Sequence, residues 1–510
     1  MAQPPVFSLP MPPAGWQQRP AGLSLCMIVR DEEKFLGDAL ESVKGLVDEI
    51  CIVDTGSQDR TLELARNAGA KTREIAWEDD FAMARNASLE MATKRWIFVL
   101  DADERLSPRS RDFLRGFGAN PAHLTGLMVR CYNFSEDYKG TGAMSNVIIR
   151  VFPNHERIRY RNRIHELIAL DGAESGMPAV PSPVELIHFG YRPGVIEDRN
   201  KAERNLSLSE KALREDPESA FNWYNYGMSA ILAKQPSLAK SALERMRELV
   251  IADIAKPGRR LAAFAPSGFT LLATIYLNDF RDPARAEGVA RETLKLVPTF
   301  ADAHFALGKA LLAQRKSNQA RDAFIAAIED GKDVHRHPFV DNEVPLWKAQ
   351  SEIGATLLDE GGFELALAWF DRALQVRPKV QPVRLNRARA LERLGRLDEA
   401  EAAFAEVWRD DGDPVAADDY LNYLLRRGRN EDALQFIDAN AERLPPEFRL
   451  IMYGSAAAIA SRAGLPGMER YVELAEGIEG IDHHHARLHG LIKHFGETPV
   501  LELLERKMKA

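Results

Sequence analysis

Short apolar runs alternate with helical patterns over the first hundred residues of the chain. Residues 23–29 and 49–53 are apolar, strand-like runs, and each is followed by apolar positions at helical spacing. A shorter strand is predicted over residues 71–75. The unbroken apolar run over residues 96–100 is typical of a strand buried on both faces. This alternation with short connections predicts an α/β domain built on a doubly wound sheet.

The segments between these strands carry helix signals. Asp31 is expected to cap the first helix, whose apolar positions recur at helical spacing: Phe35, Leu36, Leu40 and Val43. Further helices are predicted over residues 61–69 and up to about residue 93. Strands return over residues 126–131 and 145–152, with the polar loop 133–142 between them. We expect this loop to close over a bound substrate.

From about Ile196 the strand signal ends and a helical repeat begins. Ala366 and Phe370 recur as Ala400 and Phe404, a spacing of 34 residues. The positions after Gly308 show the same offsets, with Ala320, Phe324 and Ala327. These segments resemble about six tetratricopeptide repeats, with inserts near residues 254–265 and 331–345. Such a stack curves and commonly presents a groove to a peptide or protein, although a structural spine or a dimerisation surface is the alternative.

Composition and charge narrow the class of protein. The net charge of -8 over 510 residues argues against a general nucleic-acid binder. Cys26, Cys51 and Cys131 are expected to be reduced thiols, two of them on strand-like runs. The chain shows neither a signal-peptide pattern nor an apolar run of the ~20 residues that would span a bilayer. We therefore expect a cytoplasmic protein, and the sequence leaves its oligomeric state open.

Three carboxylates follow the most buried strand directly. Asp101, Asp103 and Glu104 lie within four residues, and ligands of open α/β sheets bind beyond the carboxyl ends of the strands. In extended backbone, Asp101 and Asp103 would point to the same side. Two such carboxylates suit a hard cation that keeps positions open for phosphate oxygens. The alternative is an acidic helix start before Pro108 that stabilises the helix dipole.

Four segments together resemble the motifs of family 2 glycosyltransferases with the GT-A fold: LSLCMIVRDEEKFLGDALESV, DEICIVDTGSQDRT, DFAMARNASLEMA and WIFVLDADE. Their order and spacing are most similar to the bacterial branch that includes sublancin-type peptide S-glycosyltransferases and lipopolysaccharide-core glucosyltransferases. The resemblance covers about residues 23–193. It implies that Asp101-Ala102-Asp103 is the DxD element of the family.

The resemblance implies a role for each matched residue. Asp54 would hydrogen-bond the nucleotide base, Asp101 would contact the ribose, and Asp103 would hold Mg²⁺ or Mn²⁺ on the diphosphate. Arg85 resembles a base or phosphate contact, and Asp80 is a nearby polar candidate. A divalent ion suits this chemistry because the leaving diphosphate develops negative charge. The alternatives are an Asp54 that stabilises its own turn, and a surface ion pair for Arg85 and Asp80.

The resemblance also implies a base and a further metal ligand. Glu166 matches the carboxylate that serves as base after the DxD element, and His188 matches the histidine that completes the metal shell. Asp137, in the polar loop, is the reserve base. An inverting displacement needs a base within hydrogen-bond reach of the acceptor hydroxyl, and a neutral imidazole is an ordinary ligand of divalent ions. The alternative is that Glu166 and His188 are structural residues.

Together these patterns predict a metal-dependent, inverting glycosyltransferase fused to a tetratricopeptide solenoid. The donor is expected to be a nucleotide diphosphate sugar, a UDP-sugar in the first instance. The fusion favours a protein or peptide acceptor held by the repeats, such as flagellin or a secreted peptide. The alternatives are a lipopolysaccharide or other glycan-core acceptor with the repeats as a docking scaffold, and a non-catalytic scaffold.

The same patterns predict four segments. Residues 1–22 form a Pro-rich arm, residues 23–195 the glycosyltransferase domain, residues 196–445 the repeat solenoid, and residues 446–510 a helical cap.

Overall fold

A computed structural model of the chain describes residues 19–121, 124–133, 145–172, 176–189, 198–332, 340–341, 343–479 and 484–509. The chain forms two compact units, Met1–Ala349 and Gln350–Ala510. The first unit holds the sheet and the first repeat helices, and the second unit is helical throughout its described residues. The predicted Pro-rich arm lies almost wholly outside the described residues, and the four predicted domain boundaries remain predictions.

The sheet domain is built from strands Leu23–Val29 (β1), Glu49–Asp54 (β2), Lys71–Glu74 (β3), Trp96–Val99 (β4), Glu104–Leu106 (β5), Gly126–Asn133 (β6), Ser145–Pro153 (β7), Ile158–Arg161 (β8), Leu167–Leu170 (β9) and Ala179–His188 (β10). The main sheet has the order β3-β2-β1-β4-β7-β6-β10-β5, and β8 pairs with β9. Strands β1 to β4 are parallel, whereas β7 runs antiparallel to both β4 and β6. The predicted α/β class is confirmed, with a mixed second half of the sheet.

Alternating side chains of the central strands fill a core on each face of the sheet. Trp96 and Phe98 join one apolar cluster, whereas Ile97 and Val99 join the other. Strand β1 divides in the same way, with Met27 on the first face and Cys26 on the second. A strand covered on both faces needs an apolar residue at every position, which explains the unbroken run that ends at the acidic turn. The three cysteines are buried free thiols, as predicted.

The helices of the sheet domain are Leu36–Ser42 (α1), Thr61–Asn67 (α2), Phe81–Met91 (α3) and Arg111–Leu114 (α4), with single 3-10 turns at Pro108–Ser110 and Phe117–Ala119. The predicted capping of α1 by Asp31 is wrong. Helix α1 begins after Phe35 without a side-chain cap. The Asp31 carboxylate instead accepts the backbone N–H of Gln58 at 2.6 Å, so it joins the loop after β1 to the loop after β2.

The remaining helices of the first unit are Asp198–Glu215 (α5), Ala220–Leu232 (α6), Pro236–Ile254 (α7), Ala265–Asn278 (α8), Pro283–Leu296 (α9), Ala301–Ala313 (α10) and Ser317–Asp330 (α11). Glycines allow the two helices of a repeat to approach closely. A Cβ on Gly308 would lie 2.4 Å from the ring of Phe324, and a Cβ on Gly227 would lie 2.7 Å from Leu243. The predicted partnership between Gly308 and Phe324 is therefore confirmed by direct packing.

The helices that follow are Ala349–Asp359 (α12), which begins at the last residue of the first unit, and then Phe363–Val376 (α13), Gln381–Arg393 (α14), Leu397–Asp411 (α15), Pro414–Arg426 (α16), Asn430–Asn440 (α17), Pro446–Ala463 (α18), Met468–Glu476 (α19), His484–Phe495 (α20) and Thr498–Lys509 (α21). Phe370 and Phe404, the aromatic residues spaced by 34, are both fully buried. Gly354 packs against the ring of Phe370 as Gly308 does against Phe324. Among the described helices, none combines the length and apolarity of a membrane-crossing segment.

The glycine contacts give a first prediction. Gly308→Ala should lower the free energy of unfolding by roughly 1–3 kcal/mol, because its Cβ overlaps a buried ring in a packed core. Gly288→Ala is the matched control in α9, where a new Cβ meets nothing within 4 Å. It should instead stabilise the helix by up to about 1 kcal/mol. Urea unfolding of both variants measures the difference, and equal changes would contradict the packing.

Candidate functional site

Three of the predicted site residues lie at one edge of the main sheet. Asp54 ends β2, Asp101 follows β4, and His188 ends β10. Strands β2 and β4 are both parallel to β1. Strands β4 and β6 both lie antiparallel to β7, so they run in the same direction, and β10 is parallel to β6. The carboxyl ends of all three strands therefore lie along the same edge. Open α/β sheets bind their ligands at such an edge.

The acidic segment after β4 forms a closed turn. The Glu104 N–H donates to the Asp101 carbonyl at 3.0 Å, and the Asp101 N–H donates to Glu104 Oε2, also at 3.0 Å. These reciprocal bonds fix the backbone of the four residues. The expectation of extended backbone at Asp101 and Asp103 is therefore wrong, because the side chain and the N–H of Glu104 fold the segment back.

Two buried guanidinium groups hold the Asp101 carboxylate. Arg85 Nη1 donates to Oδ1 at 2.9 Å and Arg150 Nη2 donates to Oδ2 at 2.7 Å. Arg150 also donates to Glu104 Oε1 at 2.6 Å, and Arg85 and Arg150 are only 7% and 8% exposed. Burial by itself raises the pKa of Asp101, but the two guanidinium charges more than offset it and hold the pKa well below its usual range. Asp101 is thus a fixed anion.

Arg85 also binds the predicted base. Its Nε donates to Glu166 Oε1 at 2.5 Å, and its guanidinium lies 5.5 Å from the centroid of the Tyr160 ring. Because Arg85 is buried, the alternative of a surface ion pair is wrong for this residue. Arg85 joins Glu166 to Asp101, although 81 residues separate Arg85 from Glu166 in the sequence. A direct contact of Arg85 to the nucleotide, and the role of Glu166 as base, remain predictions.

Asp103 and His188 lie side by side at the same edge. His188 Nε2 is 3.0 Å from Asp103 Oδ2, because the antiparallel pairing of β10 with β5 sets His188 opposite Glu104. Burial lowers the pKa of His188, but the bond to Asp103 and the nearby acidic charges raise it above its usual value. The described residues contain no cluster of three or more His, Cys, Asp or Glu side chains that could hold a metal ion. Asp103 and His188 alone are thus two of the ligands that the predicted metal ion would need, and they do not form a complete site.

The field at this edge is negative. Burial, together with the charges of Asp103 and Asp101 and then those of Asp59 and Asp31, raises the pKa of Glu32 to about 7. Carboxylate and imidazole are suitable ligands for Mn²⁺ or Mg²⁺. The donor atoms present and their charge therefore fit a divalent cation beside Asp103 and His188.

The carboxylate of Asp54 bonds within its own turn, whereas that of Asp80 caps a helix and also pairs with Arg163 at 3.8 Å, as the ion-pair alternative predicted. Asp54 is 1% exposed and accepts bonds from the N–H groups of Gly56 and Ser57 at 2.8 and 2.9 Å, and from the Ser57 hydroxyl at 2.5 Å. Asp80 caps α3 by accepting the Met83 N–H at 2.9 Å. The observed bonds of Asp54 thus match the turn-stabilising alternative, and its contact to a nucleotide base remains a prediction. Asp137, the reserve base, lies outside the described residues.

The sequence analysis did not identify Arg150 as a site residue, and it did not predict the contacts of Glu104. Arg150 lies in the apolar run of β7, where a charged side chain requires an anionic partner if it is buried. That mismatch was the available signal, although it could not name the partner, which lies 49 residues away. Glu104 was recognised as a third acid, but its bond to the backbone of Asp101 depends on a turn that sequence pattern does not show.

The buried arginine gives a second prediction. Arg150→Met should lower the free energy of unfolding by about 3–5 kcal/mol, because it leaves the buried Glu104 and one oxygen of Asp101 without their counter-charge. Arg66→Met, which removes an exposed pair with Glu74, should cost less than about 1 kcal/mol. Denaturant unfolding at neutral pH compares the two variants. A similar small loss for both would contradict the role assigned to Arg150.

Two parts of the chain match the models of known protein families. Residues 24–169 match the model of glycosyl transferase family 2, and residues 275–334 and 357–418 match tetratricopeptide repeat models. The first match covers the strands that build the site as far as β9. Both resemblances predicted from the sequence are therefore confirmed for these residues.

Three relatives share the N-terminal part of the chain. A TPR repeat-containing protein of Synechococcus elongatus is 39% identical over 208 residues, which are 39% of this chain and 50% of the relative. The prophage-derived glycosyltransferase SunS of Bacillus subtilis is 27% identical over 42% of this chain and 50% of the relative. The lipopolysaccharide core biosynthesis glycosyltransferase LpsC of Rhizobium meliloti is 29% identical over 36% of this chain and 68% of the relative. The chain thus spans about half the length of the first two relatives. It contains a family 2 glycosyltransferase domain followed by tetratricopeptide repeats.

Proposed function

We propose that this protein is a glycosyltransferase that moves a sugar from a nucleotide diphosphate donor, a UDP-sugar in the first instance, to a protein or peptide acceptor. The observation that carries the proposal is the closed acidic turn at the carboxyl edge of the sheet. In this turn Asp101 is locked by two arginines, whereas Asp103 is 26% exposed beside His188. The turn lies inside the segment that matches glycosyl transferase family 2.

Asp103 and His188 are the residues that we propose to hold Mg²⁺ or Mn²⁺. Their carboxylate and imidazole atoms lie 3.0 Å apart, on an edge where burial and then the charges of Asp103 and Asp101 raise the pKa of Glu32. When bound, a divalent ion neutralises the negative charge that develops on the leaving diphosphate. The described part of the chain supplies these two ligands, and the oxygens of the diphosphate would complete the shell.

Asp101 is proposed to orient the donor. A carboxylate can accept about four hydrogen bonds, and Arg85 and Arg150 use one position on each oxygen. The remaining capacity suits the hydroxyl groups of a ribose. Asp54 keeps its proposed contact to the nucleotide base, which would add to the three bonds that it accepts from its own turn. Asp80 remains a polar candidate that already caps α3.

Glu166 is proposed as the base of a single inverting displacement. The acceptor nucleophile attacks the anomeric carbon, the bond to the diphosphate oxygen breaks with its electron pair, and the base takes the proton of the acceptor. Glu166 lies at the acidic edge through its bond to Arg85, and its side chain is 14% exposed. Arg85 would hold the carboxylate in position for an incoming hydroxyl. Asp137 is the second candidate for this role.

The acceptor is proposed from the architecture of the chain. Stacked helical repeats present extended surfaces that commonly bind proteins, so a protein or peptide such as flagellin or a secreted peptide fits this fusion. The likeness to LpsC favours a second candidate, a lipopolysaccharide or other glycan core, with the repeats as a docking scaffold. The third candidate is a non-catalytic scaffold, which predicts that the wild type binds no nucleotide diphosphate in the experiment below.

Nucleotide binding gives the third prediction. One nucleoside diphosphate should stabilise the wild-type chain in the presence of Mn²⁺, by roughly 2.7 kcal/mol at a hundredfold excess over Kd. Asp103→Asn should abolish the metal-dependent part of this shift. Asp112→Asn, which changes a carboxylate that is 95% exposed on α4, should leave the shift unchanged. Thermal unfolding of the wild type and of both variants, with and without Mn²⁺, measures the shift. A wild type that responds to no nucleotide diphosphate would favour the scaffold.

The acceptor gives the fourth prediction. In a strain of the source organism that lacks this gene, flagellin or a secreted peptide should lose mass equal to one or more sugars, and cell-surface glycans should be unchanged. Complementation with the wild-type gene should restore the mass, and complementation with Asp103→Asn should not. Intact-protein mass spectrometry and glycan analysis of the same cells make the comparison. Truncated surface glycans with unchanged protein masses would overturn the protein acceptor in favour of the glycan core.

A further inference from the structure

Helix α5 connects the repeat helices to the sheet domain through three side chains. Arg204, Lys211 and Glu215 are spaced by seven and four residues, so they lie on one face of the helix. Leu208 lies between Arg204 and Lys211 on this face and is buried, as are Ala212 and Leu213. The three polar side chains contact two loops that lie far apart in the sequence. We refer to Arg204, Lys211 and Glu215 as the brace.

The first braced loop is the segment that enters α3. Lys211 forms an ion pair with Asp79, and the Trp77 Nε1–H donates to the same carboxylate at 2.9 Å. The Arg204 guanidinium lies 5.7 Å from the centroid of the Phe81 ring, which packs edge to face against Trp77. The brace therefore fixes the first turn of α3, one turn before Arg85.

The second braced loop follows β8 and leads to Glu166. Arg163 forms a forked ion pair with Glu215, with Nε 2.8 Å and Nη2 2.6 Å from Oε1. Arg163 also reaches the first loop, because its carbonyl accepts the Phe81 N–H at 2.9 Å and its Nη1 donates to the Glu78 carbonyl at 3.3 Å. The two loops thus form one layer beneath α5.

Both loops contain backbone in an uncommon conformation. Asp79, Asn162 and His165 have φ values of 57°, 74° and 52°, in the left-handed region that residues other than glycine adopt rarely, although Asp, Asn and His adopt it more often than most. Such conformations persist only where the surroundings enforce them. A half-exposed ion pair contributes little by itself, so the layer depends on several contacts of the brace acting together.

We propose that helix α5 is a positioning element of the glycosyltransferase site, and that Lys211 and Glu215 act through the two loops to hold Arg85 against Glu166. Phe81 lies four residues before Arg85 on α3, and Arg163 lies three residues before Glu166. The brace therefore fixes both partners of the ion pair that in turn orients Asp101. The consequence for catalysis rests on the proposed function, whereas the placement of the loops does not. The repeat segment is then a structural part of the site as well as a surface for partners.

The test uses the full chain with both brace charges removed, Lys211→Met with Glu215→Gln. Backbone amides of residues 77–81 and 157–166 should exchange hydrogen at least about tenfold faster than in the wild type, and those of β1 and β4 should be unchanged. Glu210→Gln is the matched control, because Glu210 lies on α5 and its ion pair among the described residues is with Arg214 of the same helix. Unchanged exchange in both loops would overturn the brace whether or not the protein transfers sugar.

Kinetics test the catalytic half of the inference. The double variant should lower kcat by about tenfold through misplacement of the reacting groups, with the donor KM within about twofold of the wild type. Lys211→Arg, which keeps the charge, combined with Glu215→Gln should recover part of the loss. Faster loop exchange with unchanged kcat would overturn the positioning role. A wild type that binds no nucleotide sugar would instead count against the proposed function, and the exchange result would still decide the brace.

Discussion

The candidate site depends on the pairing of one carboxylate with two buried guanidinium groups. Asp101 accepts Arg85 on one oxygen and Arg150 on the other, and Glu104 binds both Arg150 and the backbone of Asp101. Each buried charge would be costly alone, and each is offset by its neighbours. Because the bonds reach α3, β7 and the turn after β4, the pairing fixes the relative positions of three elements at the carboxyl edge of the sheet.

The same arrangement leaves a charge imbalance at this edge. Three carboxylates, those of Asp101, Glu104 and Glu166, face the two guanidinium groups, and Asp103 adds a further negative charge beside His188. The carboxylates outnumber the guanidinium groups here, and the pKa of Glu32 is raised by burial and then by the charges of Asp103 and Asp101. A polyanionic diphosphate would be repelled by such an edge without a cation. The negative charge at this edge therefore supports the metal-assisted binding of the donor that we propose.

Much of the fold could be predicted because its signals are local. The apolar runs of β1, β2 and β4 reflect burial on both faces, and the Gly308 and Phe324 offset reflects contact between helices of one repeat. The contacts within the site were harder to predict from the sequence. Its acidic cluster was predicted, but the turn that closes it was not, and Arg150 follows Asp101 by 49 residues with no spacing rule that connects the two. The Asp31 cap failed because Gln58, from a distant loop, offered that carboxylate a competing donor.

The central claim is that Asp103 and His188 hold a divalent ion on the diphosphate of a nucleotide sugar. A crystal structure of the full chain with UDP and Mn²⁺, with anomalous scattering recorded for manganese, tests it most directly. The account predicts a single strong anomalous peak within about 2.0–2.3 Å of an Asp103 oxygen and of His188 Nε2, with diphosphate oxygens completing the shell. A nucleotide bound at this edge without manganese, or manganese held only by other residues, would contradict the account.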